Sequence, residues 1–163
     1  MVSLTGDHEH RPLLTTSFNE YRPALSPDGR WLAYSSDESG QIEIYVRPFP
    51  AVGTGKWQVS SDGGDEPKWS RDGRTLFYLG PTSLMETAVG DGAAFTNENP
   101  KAVFARDPYM YNALPPRSYD VAPDGRFLFM KLPGAGPGAV ETPPQIIVVT
   151  NWVEELKRRV PTM

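Results

Sequence analysis

The residues with the clearest capacity for chemistry fall into three groups. His8 and His10 stand in the stretch DHEH, which places two imidazoles and two acids within four residues. Such a set holds a metal only where rigid ligands define a geometry, so a solvated terminus is the expectation. Asp28, Asp72 and Asp124 form the second group, each followed by Gly and then by Arg30, Arg74 or Arg126. Three carboxylates invite a reading as an acidic cluster. Their repeated place before Gly argues for a local task instead, because Asp in an Asp-Gly turn bonds nearby backbone. The third group is the set of pairs Tyr21-Arg22, Asp65-Glu66 and Arg117-Ser118, each just ahead of a strand-like run. One aromatic, two acids and two arginines suit recognition of a polar ligand or peptide.

Catalysis finds little support. There is no cysteine, hence no thiolate nucleophile, no disulfide and no Cys-based metal site. No G-x-S-x-G elbow, phosphate-binding loop, dinucleotide fingerprint or zinc spacing occurs. The expectation is a non-enzymatic protein with no cofactor and no metal. Net charge is −4, and the basic run Lys157-Arg158-Arg159 stands alone. A nucleic-acid binder needs a basic face, so no such partner is expected. No run of membrane-spanning length occurs and the first residues lack the apolar segment of a secretory signal. Membrane insertion is not expected.

What must position these side chains is a set of repeated short strands. Seventeen Pro and fifteen Gly in 163 residues favour strands joined by many turns over helices. Apolar residues make up 39%, enough for a packed core. The three Asp-Gly steps share their flanks: Leu25, Trp69 or Val121 four residues before the Gly, and Leu32, Leu76 or Leu128 three after it. Asp-Gly between apolar runs is a hairpin signal, since both residues tolerate positive φ. The second runs, RWLAYSS, RTLFYLG and RFLFMKL, are nearly continuous in apolar residues, as expected of strands covered on both faces.

In the first unit QIEIYVRPF supplies a third strand and KWQVSS a fourth. Four strands in roughly 40 to 50 residues is the size of a propeller blade. The second unit offers LMETAV and KAVFA as its last two strands. The third has QIIVVT as a third strand and then NWVEELKRRV, a helix capped by Asn151 with an apolar stripe of Trp152, Leu156 and Val160. The expected organisation is a flexible terminus over 1–10, a lone strand over 11–18, blades over 19–62, 63–106 and 116–150, and a helix with its tail over 151–163. The last blade lacks its own fourth strand, which the strand over 11–18 is placed to supply. The loop RDPYMYNALPP carries Tyr109, Met110, Tyr111 and Leu114, too apolar for an idle loop, and is a candidate partner surface.

The segments PALSPDGRWLAY over 23–34 and PKWSRDGRTLFY over 67–78 share the pattern P-x-[LW]-S-x-D-G-R-x-L-x-Y, weakened at 119–130. This pattern resembles the TolB-like propeller repeat. The ending IIVVTNWVEELKRRVP is similar to that of propellers associated with bacterial serine/threonine kinases. The resemblance implies an all-β fold of four-stranded blades and an extracytoplasmic setting in bacteria. It also implies that Tyr21, Arg22, Asp65, Glu66 and Arg117 lie near the rim of the central channel.

Propellers typically close with about four to eight blades, and three blades would leave two flat faces open. The expectation is a half-propeller exposing Trp31, Phe77 and Phe127, completed by a second copy in a six-bladed ring. Two-fold association is the commonest oligomer symmetry. The role would be binding a protein or a small polar ligand, as a scaffold or sensor. Two alternatives stand beside it: a fragment of a larger kinase-linked sensor propeller, completed by that protein's missing blades, and a hydrolase or lyase with its site in the channel.

Overall fold

The computed structural model of the chain describes residues 10, 12–106 and 118–129. The chain divides into two compact units, 1–132 and 133–163, and all described residues lie in the first. The loop bearing Tyr109, Met110, Tyr111 and Leu114, together with Arg117, the third strand of the last unit and the terminal helix, falls outside the described residues.

Regular structure among the described residues is entirely β. Blade 1 is an antiparallel sheet of β1 (Glu20–Leu25), β2 (Trp31–Ser36), β3 (Glu43–Pro48) and β4 (Trp57–Gln58), in that spatial order. Blade 2 repeats the plan with β5 (Asp65–Trp69), β6 (Thr75–Leu79), β7 (Ser83–Ala88) and β8 (Lys101–Ala105). The described part of blade 3 is the hairpin of β9 (Tyr119–Val121) and β10 (Phe127–Phe129). The protein is all-β, built from four-stranded antiparallel sheets consistent with propeller blades. The first strands of the blades are neighbours, β5 lying against both β1 and β9.

The repeated turns close by a shared hydrogen-bond scheme. In the first, the Gly29 amide donates to the Ser26 carbonyl at 2.9 Å and the Ser26 amide to the Trp31 carbonyl at 2.8 Å. Ser70 with Gly73 and Thr75 repeats this at 3.0 and 2.8 Å. Positive φ at these turns belongs to glycine alone, Gly29 at 72°, Gly73 at 71° and Gly125 at 84°. Each Asp turns its carboxylate back onto the turn, the local task that its place before Gly implied. The third turn closes one residue earlier, from the Ala122 amide to the Arg126 carbonyl at 2.8 Å. Ala122 lacks the hydroxyl that Ser26 and Ser70 use to hold the amide five residues on, at 2.9 Å in both.

Alternation along each strand sends side chains to opposite faces. Trp31, Ala33, Ile44 and Val46 of blade 1 meet Leu76, Tyr78, Val89 and Phe95 in the first inter-blade core. Phe77, Leu79 and Leu84 of blade 2 meet Tyr119, Phe127 and Phe129 in the second. Trp31, Phe77 and Phe127 are therefore not on open faces. Trp31 is 5% exposed and forms an edge-packed trio with Trp57 and Phe95 at 5.8 and 5.3 Å. Phe77 packs edge-on to Phe127 at 5.0 Å. Such aromatic pairs each contribute about 0.5–1.5 kcal/mol beyond their buried area.

The far face of blade 1 differs from the expectation. Residues 12–18 form no strand; Leu13 and Leu14, with Phe49 and Val52, pack over Leu32, Tyr34 and Tyr45. The strand with which this stretch was expected to pair, over 145–150, lies outside the described residues. β3 also departs from simple alternation, since Glu43 and Tyr45 are as buried as Ile44 and Val46.

Candidate functional site

The leading ends of the first strands gather the polar residues singled out in the sequence. In both complete blades the ladder slips here, between Tyr21 and Ala24 in β1 and between Asp65 and Lys68 in β5. Each slip contains an X-Pro step, Arg22-Pro23 or Glu66-Pro67, and proline has no amide to give to a ladder. The residue before the proline takes a left-handed conformation, φ 51° at Arg22 and 54° at Glu66. A non-glycine residue there carries strain of about 1–2 kcal/mol, so its side chain must repay the distortion.

The side chains do so by joining the blades. Arg22 Nη1 donates to Asp65 Oδ2 across from blade 1 to blade 2, and Arg22 Nη2 stands 3.9 Å from Glu66 Oε1. Asp65 Oδ1 accepts from the Ser35 hydroxyl and from the Glu66 amide, both at 2.8 Å. Glu66 carries the chain of contacts into blade 3, accepting from the Ser118 amide at 2.7 Å and the Ser118 hydroxyl at 2.6 Å. Its carbonyl accepts from the Tyr119 hydroxyl at 2.8 Å. Trp69 Nε1 makes the equivalent reach from blade 2 to the Ala24 carbonyl at 3.0 Å. Asp65 and Glu66 are buried, Arg22 is half-buried, and Tyr21 is exposed. Arg22, Asp65 and Glu66 are thus brought together, with Tyr21 beside them; Arg117 lies outside the described residues.

Sequence reasoning missed a third buried carboxylate. Glu43 is fully buried and accepts from the Ser60 hydroxyl, the Gln41 side-chain amide and, at 2.9 Å, the Gly63 amide. It ties β3 to the segment leading into blade 2. Its place in an alternating run offered only the reading of a solvent-facing residue. A buried charge is tolerated only when its lone pairs are satisfied, and here three donors converge on it.

The turn aspartates are not brought into one cluster; each serves its own hairpin. Asp28 Oδ1 accepts from the Ser26 hydroxyl at 2.6 Å and the Arg30 amide at 3.1 Å, while Oδ2 pairs with Arg30 Nε at 2.6 Å. The Ser26 hydroxyl first, then the Arg30 side chain and amide, hold the Asp28 carboxyl at a pKa of about 2. The Ser70 hydroxyl and then the Arg74 amide lower Asp72 in the same way. Asp124 accepts from the Arg126 amide at 3.2 Å and Arg126 Nε at 2.8 Å. Asp28 and Asp72, stabilised in the ionised form, suit turn closure and do not suit proton transfer near neutral pH.

Of the DHEH stretch only His10 is described, and it is exposed. Among the described residues no group of three or more His, Asp or Glu is placed to hold a metal. No described helix is long and apolar enough to cross a membrane.

No protein-family profile matches the chain. Among curated proteins, it is similar to dipeptidyl aminopeptidase BI of Pseudoxanthomonas mexicana, 38% identical over 69 residues. That stretch covers 40% of this chain and 9% of the peptidase. The chain therefore spans a small part of that relative's length, and the likeness is compatible with a propeller.

Proposed function

We propose that this chain is a non-catalytic propeller module of the TolB-like kind that binds a protein or a small polar ligand and completes a six-bladed ring with a second copy. The observation that carries the reading is the network at the leading ends of the first strands. Arg22, Asp65 and Glu66, the charged groups best placed for channel chemistry, are engaged with one another and with Ser35 and Ser118. Groups committed in this way hold blades in register, and a rigid inner wall suits recognition.

The second-copy part rests on blade 3. Phe127 and Phe129 face blade 2, so alternation turns Leu128 to the opposite face, where it is 72% exposed. A further blade stacked there would cover it. The test is absolute mass by light scattering after size exclusion, over a dilution series, for the parent chain and for Leu128→Glu. Twice 18.1 kDa for the parent and a lighter species for the variant are expected. A parent that stays a folded monomer at all concentrations would sink self-completion.

A second reading is favoured by the likeness to a dipeptidyl aminopeptidase: the chain is the blade-bearing portion of a peptidase. Release of dipeptides from chromogenic dipeptidyl substrates by the purified chain would overturn the non-catalytic reading. No turnover above buffer is expected.

A further inference from the structure

Five Asp-Gly steps occur in the chain, at 28–29, 62–63, 72–73, 91–92 and 124–125. The pair has a reactivity of its own. Glycine puts no side chain in the way, so its amide nitrogen can attack the side-chain carboxyl carbon of the preceding aspartate. A fold opposes this by giving the amide, or the carboxylate, a hydrogen bond that must first be broken.

Four of the five steps are protected in this way. The Gly29, Gly73 and Gly125 amides donate to the Ser26, Ser70 and Ala122 carbonyls at 2.9, 3.0 and 2.9 Å. The Asp28, Asp72 and Asp124 carboxylates of these turns are also engaged, each by the amide two residues on. The Gly63 amide donates at 2.9 Å to the buried carboxylate of Glu43. Asp91-Gly92 is different. Both residues are exposed, and among the described residues neither the Gly92 amide nor the Asp91 carboxylate has a hydrogen bond or ion pair.

The loop that carries this step fastens blade 2 to blade 1. The Gly90 amide donates to the Thr96 carbonyl at 2.9 Å, closing its base. Arg30 Nη1, from the first turn of blade 1, donates to the Gly92 carbonyl at 3.1 Å. Phe95 is 2% exposed and lies against Trp31 and Trp57, with ring centroids 5.3 and 5.5 Å away.

We propose that Asp91-Gly92 is a site of covalent modification, where aspartate rearranges to isoaspartate and becomes an acceptor for methylation by an S-adenosylmethionine-dependent isoaspartyl methyltransferase. The Gly92 nitrogen bonds to Asp91 Cγ, its proton and a carboxyl oxygen leave as water, and a succinimide ring closes. One water then reopens the ring. Attack at the side-chain carbonyl restores aspartate, while attack at the main-chain carbonyl leaves the chain running through Cγ with a free α-carboxylate. No electrons are transferred, and the water lost is regained. The isoaspartyl linkage lengthens the backbone by one methylene between the Gly90–Thr96 and Arg30–Gly92 contacts, and so loosens the seat of Phe95. The proposal is independent of the binding and ring-completion readings.

The experiment is a warm incubation of the full chain at neutral pH over several weeks, followed by tryptic mapping. Residues 75–101 form one tryptic peptide in which Asp91-Gly92 is the sole Asp-Gly step. Isoaspartate is scored as an isobaric form that accepts a methyl group from the purified methyltransferase. In the folded chain it is expected to accumulate at Asp91 about tenfold faster than at the other four steps. In concentrated urea the five rates should converge, because the protecting hydrogen bonds are gone. Asp91→Glu should abolish methyl acceptance in this peptide, since the larger ring it requires closes far more slowly. The denaturant midpoint of the aged parent should fall relative to that of the aged variant. A folded-state rate at Asp91 no greater than at the four protected steps would overturn the proposal. So would a lead for Asp91 that persists undiminished in urea, which would assign it to local sequence and not to the fold. An unchanged midpoint after most chains have converted would overturn the part given to the fastening of Phe95.

Discussion

Glu66 offers the sharpest test of how the blades are held together. It is 3% exposed, and its carboxylate accepts two hydrogen bonds from Ser118, itself 4% exposed. Glu66→Ala removes the acceptor and strands both Ser118 donors. Each orphaned buried polar group costs about 1–3 kcal/mol. Relief of the carboxylate's own desolvation offsets part of this, leaving a net loss of about 3 kcal/mol. The backbone supplies an independent check, because φ at this position is 54°. Alanine bears that strain as glutamate does, whereas glycine does not. Glu66→Gly should therefore lose about 0.5–1 kcal/mol less than Glu66→Ala, after allowing for the greater freedom of glycine in the unfolded chain. Ser118→Ala removes one partner only and should cost about 1 kcal/mol. The double variant Glu66→Ala/Ser118→Ala should cost less than the sum by about 1 kcal/mol, since one orphan disappears. The assay is urea unfolding followed by tryptophan fluorescence, with Trp69 in the same strand as Glu66. A loss under about 0.5 kcal/mol for Glu66→Ala would refute the argument that this carboxylate couples blades 2 and 3. Glycine proving worse than alanine would refute the part assigned to backbone strain.

Two tryptophans should respond oppositely to the same change. Trp31 Nε1 is buried with no hydrogen-bond partner, whereas Trp69 Nε1 donates to the Ala24 carbonyl at 3.0 Å. Trp31→Phe should be close to neutral, lost packing being offset by removal of an unsatisfied donor, while Trp69→Phe should cost about 1 kcal/mol more in the same urea titration. Ala122→Ser should install at the third turn the hydroxyl clamp of the first two, raising stability by about 0.5–1 kcal/mol; no gain would mean that the clamp is incidental to closure. Burial, and then the charge of Glu43, push the Tyr78 phenol from 10.0 up to about 12. Below pH 10 the phenol is neutral in both states. Between 10 and about 12 the unfolded chain ionises while the folded one keeps its proton, so stability falls as pH rises through that window. Denaturant midpoints that stay flat across it in the parent, or fall as steeply in Tyr78→Phe, would contradict the assignment.

The sequence by itself determined the blade. The spacing of Leu25, Gly29 and Leu32, repeated at Trp69, Gly73 and Leu76, sets turn and strands, because the turn needs one left-handed glycine and the strands need two covered faces. These are local requirements, legible over a dozen residues. The shared carboxylate of the turn was legible for the same reason: Asp28 bonds groups two residues away on either side.

Tertiary structure decided everything that depends on which face meets which. Periodicity says that Trp31 and Leu32 point to opposite sides, but only the stacking of blades sends Trp31 into an inter-blade core and leaves Leu32 beneath Leu13 and Leu14. Alternation in QIEIYVRPF makes Glu43 a surface residue by pattern. The convergence of Ser60, Gln41 and Gly63, drawn from outside its strand, makes it an interior one. Arg22, Asp65, Glu66 and Ser118 were visible as charged or polar residues ahead of strands. That they bond one another could not be read from the chain, since 43 residues separate Arg22 from Asp65 and 52 separate Glu66 from Ser118. Long-range pairing depends on how the blades stack, and that geometry is set by the packing of aromatic faces rather than by any local pattern.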